Sequence, residues 1–256
     1  MIQLFQSQML LDAGFSVHGF TRRQGGVSEG PFASLNLAYD VGDDPESVDE
    51  NLRRLKGTLG VDAPLYRVKQ VHGIEIVDAD TLPQFDDWTG EPTQEADGIV
   101  AAGDQGVLAV QNADCVPVLI ADPETRLVAA IHAGWRGASR GVVRAGVRAL
   151  VHKGSEARNL VAAVGPSVCE ACYEVGEDVA RHFPESVEPI KGTDEKFHLD
   201  LGYAVEVSLI TSGLYGTRID RIKACSSCLE NDLYSRRRDG ATTGRYVGLI
   251  SGAFAH

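Results

Sequence analysis

A cysteine and a histidine stand next to two short apolar runs in this sequence. Cys115 immediately precedes the run Val116–Ala121, and His132 follows the run Leu127–Ile131. Both runs are rich in Val, Ile, Leu and Ala and are separated by the turn-forming sequence Asp122-Pro123-Glu124, so we predict two buried strands that pair as a hairpin. Such a hairpin would hold a thiolate and an imidazole at one edge of a sheet, where they could bind a metal ion or act as a nucleophile and its base.

His72 is a third candidate metal ligand, because it follows the predicted strand Tyr66–Gln70. Catalytic zinc takes three protein ligands, often imidazole or thiolate groups, and keeps a fourth position for water. The wide intervals between His72, Cys115 and His132 match no compact zinc-finger pattern. The alternative is that His72 is an ordinary hydrogen-bonded histidine and Cys115 a buried thiol, since free cysteine is commonly buried.

Two CxxC pairs are a second candidate metal-binding pattern. Cys169 and Cys172 form the first pair, and Cys225 and Cys228 form the second. The gap between the pairs is longer than in zinc ribbons, although folding could still bring them together. We predict that the four cysteines do not form a second zinc site, because a thiol in a reducing compartment needs no partner and packs as a small apolar side chain.

Two arginine-rich segments are candidate anion-binding sites. Arg23 lies just before the glycine turn Gly25-Gly26, whose backbone could approach a ligand closely, and Arg236-Arg237-Arg238 lies near the end of the chain. Planar guanidinium groups bind phosphate or carboxylate in a bidentate manner. We predict that Arg23, with Arg237 or Arg238, lines the same cleft as the candidate metal ligands. The alternative is that both segments are solvent-exposed loops or strand edges.

The composition argues against nucleic-acid and membrane-surface binding. Lys and Arg number 24 against 36 Asp and Glu in 256 residues, so the net charge of −12 repels phosphate backbones and anionic lipid. No apolar run approaches the ~18 residues of a membrane span, and the first residues do not resemble a signal peptide. Five cysteines are an odd number, which is typical of a reducing compartment. We therefore predict a cytoplasmic globular protein that acts on a small molecule.

The element pattern predicts an α+β fold, with mixed sheets, in a single domain over residues 1–256. The helix Glu46–Leu59 has an apolar stripe and is preceded by Asp44-Pro45, a typical helix start. Gly141–Val151 has similar spacing. Predicted strands outnumber helices and do not alternate regularly with them, which argues against a doubly wound parallel sheet.

Taken together, these segments resemble the laccase-domain, or polyphenol-oxidase-like, family of YfiH-type proteins. Members of that family are also described as purine nucleoside phosphorylases and as peptidoglycan editing factors. The resemblance follows family order over nearly the whole chain and is carried by the stretches RRQGGVSEGPFASLNL, VGDDPESVDEN, KQVHG, ADGIV, NADCVPVLIADP, AAIHAGWRG, GPSVCEACYEVG, HLDL and SRRRDGATTGR. Among them, NADC and HAGWRG are the most specific.

The resemblance implies a zinc site and a nucleoside-cleaving activity. The histidine of KQVHG, the cysteine of NADC and the histidine of HAGWRG fall on His72, Cys115 and His132. The implied fold is one domain of layered mixed sheets flanked by helices, an α/β/β/α sandwich. The implied reaction converts a purine nucleoside (adenosine, inosine, guanosine or methylthioadenosine) and phosphate to free base and ribose 1-phosphate, sometimes with adenosine deamination.

For that reaction the candidate substrate-binding residues come from three of the matched stretches. Arg23 and one of Arg237 or Arg238 would hold phosphate, and Asn36 or Gln70 would hydrogen-bond the substrate. The chain departs from the family pattern at Arg22, where the family has threonine, and at Arg236, where it usually has tyrosine.

Three other functions remain open at this stage. An amidohydrolase could use the same zinc site to remove a wrong amino acid, such as serine, from a UDP-muramyl precursor of peptidoglycan. A copper phenol oxidase is the meaning of the family's older name, but a multicopper centre needs many imidazoles, and this chain has seven histidines without HxH pairs. A single site of two imidazoles and one thiolate could nevertheless take copper. The fourth possibility is a binding protein without catalytic activity.

Overall fold

A computed structural model describes residues 2–193 and 195–253 of the chain, which contain fourteen strands and seven α-helices. In chain order the strands are β1 (Leu4–Phe5), β2 (His18–Thr21), β3 (Leu65–Tyr66), β4 (Ile76–Asp78), β5 (Gly98–Ala101), β6 (Val107–Asn112), β7 (Val116–Ala121), β8 (Val128–Ala133), β9 (Val161–Val164), β10 (Glu174–Gly176), β11 (Val187–Pro189), β12 (Lys196–Leu199), β13 (Ile219–Arg221) and β14 (Tyr246–Ser251). The helices are α1 (Gln8–Asp12), α2 (Pro45–Leu59), α3 (Trp135–Arg140), α4 (Val142–His152), α5 (Glu177–Ala180), α6 (Leu201–Thr211) and α7 (Arg236–Asp239).

The strands form three sheets. The first has the order β1-β2-β14-β6-β3, the second the order β13-β9-β7-β8-β5-β4, and the third, smaller sheet the order β10-β12-β11. The pairs β3–β6, β4–β5 and β9–β13 are parallel and the other pairs are antiparallel, so both large sheets are mixed. Strand β14, from the end of the described chain, lies between β2 and β6, so distant parts of the sequence share one sheet.

The two large sheets pack face to face, and helices cover their outer faces. Alternate residues of β7 point to opposite sides: Leu119 lies between the sheets, whereas Ile120 lies on the face covered by α4 and α6. Helix α2 packs Leu52 and Leu55 against the outer face of the five-stranded sheet. The predicted α+β class with layered mixed sheets is therefore confirmed. The sequence of β7 is a continuous apolar run because both faces of this strand are buried.

Helix α2 begins and ends where its sequence indicates. The Asp44 side chain accepts a hydrogen bond from the backbone N–H of Ser47 and caps the first turn, and Pro45 occupies the first helical position, where no N–H is needed. Gly60 ends the helix in the left-handed conformation (φ 63°), with its N–H bonded to the carbonyl of Lys56.

One local expectation is wrong. Of the predicted strand Tyr66–Gln70 only Tyr66 lies in β3, and the following residues turn toward the candidate metal ligands. In the loop that follows Thr81, Trp88 is fully buried and donates its indole N–H to the carbonyl of Ala63 at 2.8 Å. Within the described residues, no helix combines the length and the apolar character needed to cross a bilayer.

Candidate metal centre and cleft

The hairpin of β7 and β8 holds two of the three candidate ligands, as the sequence predicts. The strands pair antiparallel with Val116 opposite Ala133, so Cys115, directly before β7, lies beside the end of β8 where His132 is found. His72 reaches the same place from the turn that follows β3, where its φ of 59° is unusual for a residue with a side chain. The strand-end positions thus bring together residues that are far apart in sequence.

The three side chains form one compact cluster. One ligand atom each from His72, Cys115 and His132 can be chosen so that all lie within 4.8 Å of one another. The Sγ of Cys115 is 3.8 Å from Nε2 of His72, and the two imidazole rings meet edge to face with centroids 4.8 Å apart. His132 is only 3% exposed, while His72 and Cys115 are half-buried, so the cluster has a closed base and an open side. Two imidazoles and one thiolate with an open side fit the donor set of a catalytic metal.

A buried carboxylate, that of Asp97, organises both histidines. Its Oδ1 accepts from Nδ1 of His132 at 2.8 Å and from the backbone N–H of His72 at 2.9 Å. Its Oδ2 accepts from the backbone N–H groups of Gly73 at 2.5 Å and Val71 at 3.3 Å. A bond to Nδ1 leaves Nε2 of His132 as the ligand atom, and carboxylate–histidine pairs of this kind orient the ligands of known metal sites.

Gly134 lets the backbone after β8 pass close to the cluster. A Cβ at this position would lie 2.7 Å from Cδ2 of His72 and 3.1 Å from Sγ of Cys115. Any larger residue would therefore push the candidate ligands out of their positions. This explains why the segment HAGWRG has glycine directly after His132-Ala133.

Charges within the cluster change the pKa of Cys115 and His132 in opposite directions. Burial by itself raises the pKa of Cys115, but the adjacent His132, and after it His72, outweigh burial and lower it to about 6. Burial lowers the pKa of His132, but Cys115 and Asp97 outweigh it and raise it to about 9. In the absence of metal the cluster therefore holds a thiolate and an imidazolium at neutral pH.

A strained turn precedes Cys115. Asp114 has a φ of 93°, and its carboxylate accepts hydrogen bonds from the hydroxyl groups of Ser226 at 2.7 Å and Ser235 at 2.6 Å and from the backbone N–H of Arg237 at 2.6 Å. Backbone strain of this kind persists only where the surrounding contacts enforce it. Here those contacts tie the Cys115 turn to two later segments of the chain.

The cluster opens into a cleft with both positive and negative walls. His72, Cys115 and His132 lie at its base, with Gln70 and Asn112 beside them. The basic residues on its walls are Lys69, Arg236 and Arg245, the acidic residues are Asp40 and Glu91, and Tyr39 adds an aromatic ring. A second depression joins the first at Ala113, Cys115 and Arg236 and is lined further by Asp114, Tyr173 and Arg237.

The predicted shared cleft is wrong for Arg23 and Arg238. Both line a separate depression at the protein surface. The guanidinium of Arg23 donates to the carbonyls of Ala33 and Glu230 at 2.9 Å each and stacks on Tyr234. That of Arg238 donates to the carbonyls of Ser226, Ser227 and Leu233 and pairs with Asp239. Both arginines hold loops together, because a guanidinium has enough donors to join several carbonyls at once.

The remaining predicted substrate-binding residues have different positions. Asn36 is fully buried, and its amide is saturated by Ala38, Asp43 and the backbone N–H of Arg245, so it has no hydrogen-bonding group left for a substrate. Gln70 does line the cleft, although its amide exchanges two hydrogen bonds with the backbone of Gln111 at 2.8 and 2.6 Å. Arg237 lies beside Cys115 in the second depression.

The four other cysteines are also placed differently from expectation. The sulfur atoms of Cys169, Cys172, Cys225 and Cys228 all lie within 4.8 Å of one another. None of them is fully buried. The reason given for expecting no second zinc site, that each thiol packs as a small buried apolar side chain, therefore does not hold, because folding brings the two CxxC pairs together at a partly exposed position.

Sequence reasoning did not identify Asp97, Asp114, Arg236 and Arg245 as site residues. A partial signal existed for each of them, since Asp97 lies in ADGIV, Asp114 directly precedes Cys115, and Arg236 and Arg245 lie in SRRRDGATTGR. None of these signals indicated a direction for the side chain of Arg245. Its guanidinium donates to the carbonyls of Thr243 and Gly244, and burial lowers its pKa from the ordinary value.

Comparisons with known proteins identify the family of this chain. The sequence model of the family described as "Multi-copper polyphenol oxidoreductase laccase" matches residues 17–253. A relative from Deinococcus radiodurans named purine nucleoside phosphorylase is 41% identical over 236 residues, which cover 91% of this chain and 88% of the relative. A relative of the same name from Streptomyces coelicolor is 40% identical over 237 residues, covering 91% of this chain and 93% of the relative.

Solved structures share the fold over nearly the full chain. YlmD from Geobacillus stearothermophilus superimposes with a TM-score of 0.83 and 30% identity and covers 93% of both chains. The hypothetical protein YfiH from Bacillus licheniformis has a TM-score of 0.83 and 28% identity, with 91% of both chains covered.

Proposed function

This chain belongs to the multi-copper polyphenol oxidoreductase laccase family of enzymes, and within that family we propose that it is a zinc-dependent purine nucleoside phosphorylase. The observation that carries the proposal is the joint position of a His72–Cys115–His132 cluster and an arginine-lined cleft. Relatives at 40% and 41% identity are named for the same activity. The reaction would convert a purine nucleoside and phosphate to free base and ribose 1-phosphate.

The cluster would hold the metal through Nε2 of His132, the thiolate of Cys115 and the imidazole of His72. Zinc is our choice because two imidazoles and one thiolate, with an open side, fit its catalytic sites. When bound, zinc would supply a Lewis acid at the base of the cleft that polarises a group of the substrate. Asp97 keeps the ring proton of His132 on Nδ1 and so leaves Nε2 free for coordination.

Arg236 and Arg237 would bind the phosphate. Arg236 lines both depressions, and Arg237 lies in the depression that includes Cys115. The guanidinium of Arg237 is held over the ring of Tyr173 and donates to the carbonyl of Glu174 at 2.8 Å, which leaves other N–H groups available. A fixed guanidinium loses little conformational entropy when it binds an anion.

The aromatic and acidic groups of the cleft would bind the nucleoside. The ring of Tyr39 offers an apolar surface for the base, and the carboxylates of Asp40 and Glu91 can accept hydrogen bonds from ribose hydroxyls or from an exocyclic amine. The side-chain groups of Gln70 that are not bonded to Gln111 are available beside the cluster. Reduced thiols are needed for this metal site, which supports a cytoplasmic location.

The family description names copper, and a copper phenol oxidase is therefore the second candidate. Among the described residues, the metal-binding groups contain only two histidines, His72 and His132, whereas a multicopper centre needs many imidazoles. One copper could still occupy a site with two imidazoles and one thiolate. Metal analysis, together with a test for phenol oxidation, separates the two candidates.

The central experiment is a nucleoside panel assayed with and without phosphate on protein of known metal content. We expect release of base and ribose 1-phosphate that depends on both phosphate and zinc. Replacing Arg237 with Gln should raise the KM for phosphate about tenfold or more, because a hydrogen bond to a charged group contributes about 1.5–3 kcal/mol. The matched control Arg53→Gln, on the exposed side of α2, should leave that KM unchanged.

Several results would contradict the proposal. Base release without phosphate would indicate a hydrolase, and ammonia release alone would indicate a deaminase. Serine release from a UDP-muramyl precursor, with no action on nucleosides, would favour the amidohydrolase alternative. A wild-type KM for phosphate in Arg237→Gln would remove this arginine from the phosphate site.

A further inference from the structure

The second cluster of cysteines has the geometry of a metal site. Cys169 directly precedes the short 3₁₀ turn Glu170–Cys172 after β9 and Cys172 ends it, and Cys225 and Cys228 follow β13. Their four sulfur atoms lie within 4.8 Å of one another, with Sγ of Cys172 and Sγ of Cys228 only 3.4 Å apart. Tetrahedral zinc with Zn–S bonds of about 2.3 Å requires sulfur atoms about 3.8 Å apart, so small shifts would complete the site.

Backbone groups support a charged sulfur in this cluster. The N–H of Cys169 lies 3.3 Å from Sγ of Cys225, and the N–H of Cys228 lies 3.4 Å from the same sulfur. The first of these bonds joins the two CxxC pairs, and the second lies within a pair. Hydrogen bonds from N–H groups favour the thiolate form, which is the form that binds metal.

The surroundings do not suit an apolar role for these thiols. Cys228 is exposed and the other three are half-buried, whereas a cysteine that serves only as a small apolar side chain is commonly buried. The two segments that carry the pairs have little regular structure, and one short bridge joins them at Ser167 and Cys225. A four-thiolate zinc site would add a strong crosslink to the few backbone hydrogen bonds that join these loops.

We propose that Cys169, Cys172, Cys225 and Cys228 bind one zinc ion in a closed structural site, separate from the His72–Cys115–His132 cluster. On binding, the thiols give up their protons to solvent and all four coordination positions are occupied by sulfur. No open position remains, so the site has no direct part in the chemistry. The proposal does not depend on the activity assigned to the cleft.

The site would stabilise the wall of the cleft through Asp114. The first cysteine segment contacts this residue through the N–H of Val168, which donates to the carbonyl of Asp114 at 3.0 Å. The second contacts it through Ser226, whose hydroxyl donates to the Asp114 carboxylate at 2.7 Å. Because Asp114 directly precedes Cys115, a zinc ion that ties the two segments together would restrain the turn that presents the Cys115 thiolate.

Metal content of the full chain, purified without chelator, tests the proposal. We expect two zinc ions per chain in the wild type and one in Cys115→Ser, which keeps the four-cysteine site. Cys228→Ser, at the most exposed of the four positions, should lose one zinc ion. The matched control Ser227→Ala changes the neighbouring side chain and should keep both.

A cobalt titration of metal-depleted Cys115→Ser gives a second readout that does not require a change in the four-cysteine site. We expect intense thiolate-to-cobalt charge-transfer absorption that saturates at one equivalent. If the wild type binds only one zinc ion, which is kept in Cys115→Ser and lost in Cys228→Ser, the result would support this site and count against zinc in the cleft, so the two proposals can fail separately.

The proposal would be overturned by any of four results: a wild type that binds only one zinc ion, which is lost in Cys115→Ser; iron bound in place of zinc; no thiolate-to-cobalt absorption; or disulfides within the cluster. Thiol titration of the unfolded, metal-free chain detects the last of these. It should find all five cysteines free, whereas two disulfides would leave only one.

Discussion

Replacing Asp97 with Asn should weaken metal binding in the cleft and destabilise the fold, although the two side chains have nearly the same shape. Each carboxylate oxygen of Asp97 accepts two hydrogen bonds: Oδ1 from His132 and from the backbone of His72, Oδ2 from the backbones of Gly73 and Val71. An asparagine has one oxygen and one NH₂ group at these positions. Whichever way the amide is turned, two of the four donors face another donor.

The size of both effects follows from these contacts. A buried donor left without its acceptor costs about 1–3 kcal/mol, so two of them should lower the free energy of unfolding by about 2–6 kcal/mol. If the NH₂ group faces His132, the ring could regain a bond only by accepting through Nδ1, which would move its proton to Nε2 and remove the lone pair that binds metal. If it faces Gly73 and Val71, the turn that carries His72 loses the acceptor of its backbone N–H groups. Loss of such a partner typically reduces metal affinity 10–100-fold, and we expect the same here for Asp97→Asn.

Two measurements check this prediction. Zinc affinity is obtained by competition with a chromogenic chelator, using Cys228→Ser as the background so that the proposed structural site does not contribute. Stability is obtained by urea unfolding of the metal-free protein. The matched control is Asp104→Asn, an exposed carboxylate remote from the cluster. If Asp97→Asn binds zinc within twofold of its background and unfolds at the same urea concentration, the assignment of Asp97 as the positioning residue is wrong.

Three further expectations concern the same cluster. Gly134→Ala should reduce zinc affinity at least tenfold, because its Cβ would lie 2.7 Å from Cδ2 of His72. The control Gly57→Ala, in open space on α2, should leave zinc affinity unchanged and raise the free energy of unfolding by about 0.5–1 kcal/mol. Equal zinc affinity in the two variants would contradict the steric argument. In metal-free protein the Cys115 thiolate should form with a midpoint near pH 6. The midpoint is measured from the pH dependence of the alkylation rate in a variant that lacks the other four cysteines. A midpoint near the ordinary 9.0 would be inconsistent with an ion pair between Cys115 and His132. The contribution of Cys115 to the free energy of unfolding falls as the pH drops from about 9 to about 6, whereas that of His132 falls as the pH rises from about 6.5 to about 9. Because the two changes oppose each other, urea unfolding should show little net pH dependence from this pair between pH 6.5 and 9.

Local signals in the sequence predicted several elements close to their observed bounds. The helix expected over Glu46–Leu59 is α2, because a cap at Asp44, a proline at the first position and a glycine at the end act within one turn of the chain. The strand expected over Val116–Ala121 has the same bounds in the structure. In each case the determining contacts lie among neighbouring residues or arise from a continuous apolar run.

The long-range assignments were less successful, and the arginines show why. A run of three arginines predicts positive charge, but not the direction in which each side chain points. Arg237 faces the depression beside Cys115, whereas the guanidinium of Arg238 is used to join the loops around Ser226 and Leu233. Adjacent residues on the short helix α7 necessarily point in different directions, so only the packed structure distinguishes them.

By itself, the sequence determined the α+β class with mixed sheets and the hairpin that carries Cys115 and His132, which follow from apolar runs and turn residues in short stretches of chain. The layered arrangement of the sheets and the set of three candidate ligands were implied by the family resemblance of the motifs. Only the tertiary structure decided that Asp97 joins both histidines, that Arg23 lies outside the cleft and that the two CxxC pairs meet. Each of these contacts joins residues far apart in the chain, and their distances depend on how the sheets pack, which no local pattern encodes.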